Sequence, residues 1–247
     1  VVATERGTVI ANGNATVSTI EHAMAALMAH KIDNCRIELD APEMPILDGS
    51  AFYIVNAIQK AGIIAQNKPR NYFEVKEEIH FEHQGSSLSI LPADYFSAKV
   101  HIDFNSPILP AQSATLEHLD LFDQEIAEAR TFVFVREIAP LLQHNLIKGG
   151  DLDNAIVIYD QPMPQENINR LCQLLGIPTI ELSNLGFLNR KPLTSDNEPA
   201  RHKLLDVIGD LALIGMPIKG KVIAHKPGHH FNTNVAKAIL SNMQPNK

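Results

Sequence analysis

The chain has 247 residues, 45% of them hydrophobic, and a formal charge of −7. That length buries one large core or two smaller ones, and the negative balance excludes a nucleic-acid or anionic-membrane binder that works by bulk charge, so local Lys, Arg and helix N-termini must hold any anionic ligand. Cys35 and Cys172 are too few for a disulfide framework or a zinc ribbon and fit a reducing compartment, and no secretory signal or apolar run near ~20 residues is present.

The chain opens on Val1 in a pattern like the middle of a domain, so residues are expected to precede it. Glu5 to Ile10 is predicted as a strand with its turn at Asn12-Gly13-Asn14. Ser18 and Glu21 fit a capping box, which starts a helix there and offers Glu21 a purely structural role. His22 falls in the first helical turn, where the dipole disfavours a cation and a neutral imidazole is more comfortable. Asp33 to Asp40 reads as a strand, the loop Pro45-Ile46-Leu47-Asp48-Gly49-Ser50 is stiffened by proline, and a helix covers Ala51 to Ala61 up to Gly62. The polar run Gln66-Asn67-Lys68-Pro69-Arg70 is the domain boundary, dividing 1–69 from 70–247.

Beyond it, strands are predicted at Tyr72 to Phe81, Ser86 to Leu91 and Phe96 to Phe104. Helices follow at Asp123 to Ala129 and Arg136 to Gln143, then a buried-type strand at Ala155 to Tyr159 and an amphipathic helix at Gln165 to Leu175. Lys219 to His225 reads as a strand and Asn232 to Ser241 as the last helix. The result is an α+β protein of two domains of related build.

The most informative helix runs from Glu198 to about Leu213. His202, Asp206 and Asp210 recur at i, i+4 and i+8 on one face, with Lys203 beside them, while Leu204, Leu205, Ile208 and Leu211 form an apolar stripe. For a lone H-x-x-x-D, a solvated polar face on an amphipathic helix is the more ordinary reading. Against that stands Gly209, which costs ~1 kcal/mol relative to Ala inside a helix. An imidazole and a carboxylate one turn apart can share a divalent metal, but a third ligand is still needed.

Five ordered segments carry a family resemblance: Val17-Ser18-Thr19-Ile20-Glu21-His22, Pro45-Ile46-Leu47-Asp48-Gly49-Ser50, Ala129-Arg130-Thr131-Phe132, Arg201-His202-Lys203-Leu204-Leu205-Asp206 and Lys226-Pro227-Gly228-His229. Together they resemble the UDP-3-O-acyl-N-acetylglucosamine deacetylases of lipid A synthesis. The resemblance implies two α+β domains, each a β-sheet with a pair of helices, packed helix layer to helix layer. It puts metal ligands on His22, His202 and Asp206, for zinc or alternatively ferrous iron, and the general base on Glu21. It puts an oxyanion donor on Thr131, a cation near the metal on Lys203, the acid for the leaving amine on His229 and its orienting carboxylate on Asp210. Phe132 and Phe104 fall at acyl and nucleotide contacts. It implies a cytoplasmic enzyme with no transmembrane segment and no nucleic-acid partner, with UDP-3-O-acyl-N-acetylglucosamine as substrate.

Three departures accompany it. The family's opening strands and Gly-rich early motif are absent, so the first domain is expected to be incomplete. A stretch near 161–185 looks inserted and reads as surface decoration, with a reshaped acyl passage as the alternative. The chain stops soon after its last helix, where some relatives continue into a fused acyl-carrier-protein dehydratase. Two rival functions stay open on the residues alone: a metal-dependent amidase for another N-acyl substrate, and a non-catalytic nucleotide-sugar or lipid-binding protein.

Overall fold

The computed structural model describes residues 1–138, 154–175, 178–181, 184–188 and 191–243. A hairpin comes first, β1 (Ile10–Asn12) with β2 (Ala15–Val17), turning at Gly13 with a φ of 57°. Helices α1 (Glu21–Ala29) and α2 (Phe52–Ala61) follow. Then come β3 (Phe73–Glu74), β4 (Ile79–His83), β5 (Ser86–Leu91), β6 (Phe96–Ile102) and β7 (Gln112–Leu116). The short α3 (Phe122–Glu125) leads to β8 (Phe132–Phe134), and β9 (Ile156–Tyr159), α4 (Gln165–Leu175) and β10 (Gly186–Phe187) come later. The chain continues through α5 (Glu198–Leu211), β11 (Ile218–His225) and α6 (His229–Met243).

The main sheet has six strands in the order β4-β5-β11-β6-β7, with β3 joining the start of β11. Its strands alternate as a half-covered sheet requires. Leu88, Ile90, Val100, Leu116, Val222 and Ala224 are buried, while Lys99, Thr115, Ile223 and His225 face outward and are exposed. Helix α5 lies against β6 and β7 on the covered side, and α1 and α6 pack against α5. The buried side chains of α1 and α2, among them Ala25, Ala26 and Val55, belong to the same continuous core as Leu204, Leu205 and the sheet. A smaller sheet, β10-β9-β8, carries its own satellite core of Val135, Val157, Tyr159 and Leu171.

Several expectations are corrected. Residues 33–40 form no strand: a strand is defined by its ladder, and here Ile37 is 50% and Leu39 37% exposed. The expected strand from Glu5 starts only at Ile10, because Gly7 and Thr8 are instead buried against α1. Tyr72 to Phe81 splits into two strands with different partners, β3 parallel to β11 and β4 antiparallel to β5. The helix expected from Asp123 to Ala129 ends at Glu125, since the Arg130 and Thr131 amides turn to Glu198 and Gly49. The last helix begins earlier than expected, at His229. The helix predicted over Arg136 to Gln143 is helical at 136–138, and its remainder lies outside the described residues, as does His144.

One buried ion pair ties the segment before β8 to the start of α5. Arg130 donates from its backbone N–H and Nε to Glu198 Oε1 at 3.0 and 2.8 Å and from Nη2 to Oε2 at 3.1 Å. Thr194 N–H adds a fourth bond at 2.7 Å, and Glu198 is fully buried. Burial pushes the Glu198 carboxyl up, but Arg130 and these donors outweigh it and hold the group below its usual range. A depressed carboxyl stabilises the fold fully above its unfolded pKa of about 4.3, and that contribution is lost as pH falls through the lower folded value. Glu198→Gln should strand the guanidinium, cost about 3–5 kcal/mol in denaturant titrations at neutral pH, and remove this part of the acid dependence.

Candidate active site

The site forms where α1 touches α5. Gly209 meets the start of α1, and a Cβ there would collide with the carbonyl oxygen of Glu21. The mid-helix glycine is thus explained by close approach of two backbones. This contact carries His22 to the i, i+4 pair of α5. One ligand atom each from His22, His202 and Asp206 lies within 4.8 Å of the others. The face is not solvated: His202 is 2%, Asp206 1% and Asp210 0% exposed.

The donors are in suitable states. His202 Nδ1 lies 2.9 Å from the Ala129 carbonyl, an acceptor only, so Nδ1 carries the proton and Nε2 keeps its lone pair. Burial pushes His202 down, and it pushes His22 down to about 3, so both imidazoles are neutral. Burial would raise Asp206, but Lys203, His202 and His229 outweigh it and hold the carboxyl ionised, well below its usual range. Asp206 Oδ2 accepts from Lys203 Nζ at 2.7 Å, whereas Oδ1 is buried without a hydrogen-bond partner and lies 3.4 Å from His202 Nε2. A buried orphaned carboxylate oxygen is costly unless a cation completes it. Two neutral imidazoles and this oxygen can hold a divalent ion.

Two further titratable groups line this centre from opposite helices. Glu21 is not a cap: α1 starts at Glu21 with no side-chain cap bond, and Ser18 Oγ turns to the Pro42 carbonyl. The Glu21 carboxylate instead accepts the Thr8 N–H at 2.9 Å, and burial pushes it up to about 7. His229 donates from Nδ1 to Asp210 Oδ2 at 3.0 Å, which leaves Nε2 at 3.9 Å from Glu21 Oε1 and 3.8 Å from Asp206 Oδ2. Burial would lower His229, but Asp206 and Asp210 together raise it to about 9. Both shifts are upward, so between about 7 and about 9 an ionised Glu21 and a protonated His229 face each other across one buried centre.

The description UDP-3-O-acyl N-acetylglycosamine deacetylase, LpxC, belongs to a family model that matches residues 1–171 and 178–241. The chain belongs to the LpxC family. It is 52% identical to the bifunctional enzyme LpxC/FabZ of Porphyromonas gingivalis over 246 residues, which is 99% of this chain and 53% of that protein. Identity is also 52% with the bifunctional enzyme LpxC/FabZ of Bacteroides thetaiotaomicron, over 97% of this chain and 52% of that protein. A UDP-3-O-acyl-N-acetylglucosamine deacetylase of an Anaeromyxobacter species is 40% identical over 98% of this chain and 72% of that protein. The chain therefore spans about half the length of the bifunctional relatives. The family match leaves out 172–177, inside the stretch read as inserted.

In this LpxC-family chain the loop ending in Asp48-Gly49-Ser50 braces the segment that faces the site. Gly49, at a φ of 82°, accepts the Thr131 N–H at 2.8 Å, and a Cβ on it would strike the Asn154 carbonyl. Asp48 holds Ser50 by its side chain, and Ser50 Oγ accepts the Phe52 N–H at 3.1 Å. Thr131 is placed by this brace two residues beyond the carbonyl that orients His202. Phe132 and Phe104 meet edge to face at 5.3 Å, and Lys203 Nζ sits 5.4 Å from the Phe132 centroid. Sequence reasoning missed Gly7, Thr8 and Asn232, which line the Glu21 and Asp210 carboxylates. Only a fold could reveal them, since a short Gly-Thr pair and a lone Asn carry no spacing signal. Propensity alone makes Gly209→Ala stabilising by ~1 kcal/mol. The backbone contact predicts the opposite sign, a loss of about 1–3 kcal/mol by chemical denaturation.

Proposed function

We propose that the chain hydrolyses the 2-acetamido group of UDP-3-O-acyl-N-acetylglucosamine to acetate and a free amine, as a cytoplasmic step of lipid A synthesis. Membership of the LpxC family and the deacetylase names of its relatives support this reading. The observation that carries it is the buried orphaned Asp206 oxygen beside two neutral histidines, flanked by Glu21 and His229. His22, His202 and Asp206 would hold zinc, with ferrous iron as the alternative. When bound, that ion supplies a Lewis acid and acidifies the attacking water.

The chain's own residues supply the rest. Glu21 takes the proton of the attacking water. Thr131 donates its hydroxyl to the oxygen where negative charge develops, and the Lys203 cation stands by. His229, held by Asp210 through Nδ1, delivers its Nε2 proton to the departing nitrogen, which is a poor leaving group until protonated. Phe132 and Phe104 offer an apolar surface beside Lys203 for the acyl chain and nucleotide. As part of this reading, 1–69 and 70–247 are the two units that meet at the site. Relatives with the bifunctional name, matched over about half their length, support an accompanying acyl-carrier-protein dehydratase. Among the described residues no helix is long and apolar enough to cross a membrane.

Acetate release from the UDP-sugar by zinc-loaded protein is the deciding measurement, since neither an amidase for another substrate nor a non-catalytic binder would give it. Glu21→Gln should fold and hold zinc like the wild type while turnover falls ~10²-fold or more. A fully active Glu21→Gln protein would remove Glu21 from the chemistry.

The same pair sets a pH dependence. Glu21 works ionised and so above its pKa, which burial raises to about 7. His229 works protonated and so below its pKa, raised to about 9. Rate against pH should be a bell, and the charge of a bound cation moves both limbs to lower pH by favouring ionised Glu21 and neutral His229. Asp210→Asn should shift the alkaline limb further down while zinc content stays unchanged. An alkaline limb indifferent to Asp210 would mean another group is the acid.

A further inference from the structure

Thr8 is fully buried in the lead-in to the first hairpin, and each of its polar groups is committed to a different piece of the site. Its N–H donates to Glu21 Oε2 at 2.9 Å, and its carbonyl accepts the Ile20 N–H at 3.4 Å, just ahead of α1. Its hydroxyl donates to Asp210 Oδ1 at 2.5 Å, across to α5. The other oxygen of Asp210 is taken by His229 Nδ1–H and by Asn232 Nδ2–H, at 3.0 and 2.9 Å. The neighbouring residue is shaped for the same contact: a Cβ on Gly7 would sit 2.7 Å from Glu21 Oε1. Valine would fill the space of Thr8 equally well and suit extended backbone as well. What the hydroxyl adds is a short, charge-assisted bond to a buried carboxylate.

We propose that Thr8 is a positioning residue that ties Glu21 to Asp210, so that base and acid are carried on one frame. Without the hydroxyl, Asp210 Oδ1 loses its donor and the carboxylate is free to turn. Only the Asn232 amide on Oδ2 is then left to fix the plane in which His229 Nδ1 is held, and Nε2 shifts from its place opposite Glu21. The role rests on the deacetylase reading for its catalytic consequence but not for its structural one.

Two measurements on the full-length protein test it. In zinc-loaded enzyme, Thr8→Val should lower kcat about tenfold or more with KM within about twofold, because the loss is one of alignment and not of substrate contact. Thr8→Ser should recover most of that rate, and Thr8→Val should add no further loss in an Asp210→Asn background, as expected for residues acting as one unit. Independently of turnover, the low-field Nδ1–H proton resonance of His229, assigned by its absence in His229→Ala, should persist in Thr8→Ser and vanish in Thr8→Val. Wild-type kcat with an unchanged His229 resonance in Thr8→Val would overturn the proposal, as would additive losses in the double variant. A wild type that releases no acetate, with a His229 resonance that still follows Thr8, would remove the deacetylase reading and uphold the frame.

Discussion

The contact between Gly209 and the Glu21 carbonyl is the constraint on which the site depends. Without a Cβ, α5 lets the first turn of α1 come to backbone distance. His22 then reaches the pair that α5 already presents, and Glu21 lands opposite His229. Two helices held at ordinary side-chain spacing would separate these groups by several ångströms more. The glycine that weakens α5 as an isolated helix is what makes the assembly possible.

Close approach buries polar groups, and their desolvation must be offset locally. Helix α5 is buried nearly all round, so His202, Asp206 and Asp210 cannot lean on water. His22 and His202 meet the cost by staying neutral, and Asp206 by pairing with Lys203. Asp210 collects Thr8, His229 and Asn232. Two buried oxygens of this network have no hydrogen-bond partner, Asn232 Oδ1 and Asp206 Oδ1. Of these, only the Asp206 oxygen is grouped with the imidazoles of His22 and His202. The Arg130–Glu198 pair belongs to the same system. It fixes the segment whose Ala129 carbonyl chooses the tautomer of His202.

Much of the fold was legible because it is periodic. The apolar stripe of Glu198–Leu211, the amphipathic Gln165–Leu175 and the alternation of Ser86–Leu91 were read at or near their true bounds. The errors came where a second element decides the outcome. Residues 33–40 have a strand-like composition but no ladder, and the Ser18/Glu21 capping signature is real as a pattern yet unused. In both, local propensity was overruled by what lies beside the segment in space.

The same division holds for the site. The i, i+4 spacing of His202 and Asp206 and the place of Asp210 one turn further are properties of the chain, because a helix converts spacing into a common face. Family motifs could add Glu21, His22, Thr131 and His229 only as an implied set. That His22 faces His202, that Glu21 is held by Thr8 and not by a cap, and that Asp210 reaches both Thr8 and His229 were decided by tertiary structure alone. These contacts join residues far apart in sequence. No local pattern encodes such distances: they follow from how two helices, a glycine and a buried turn pack together.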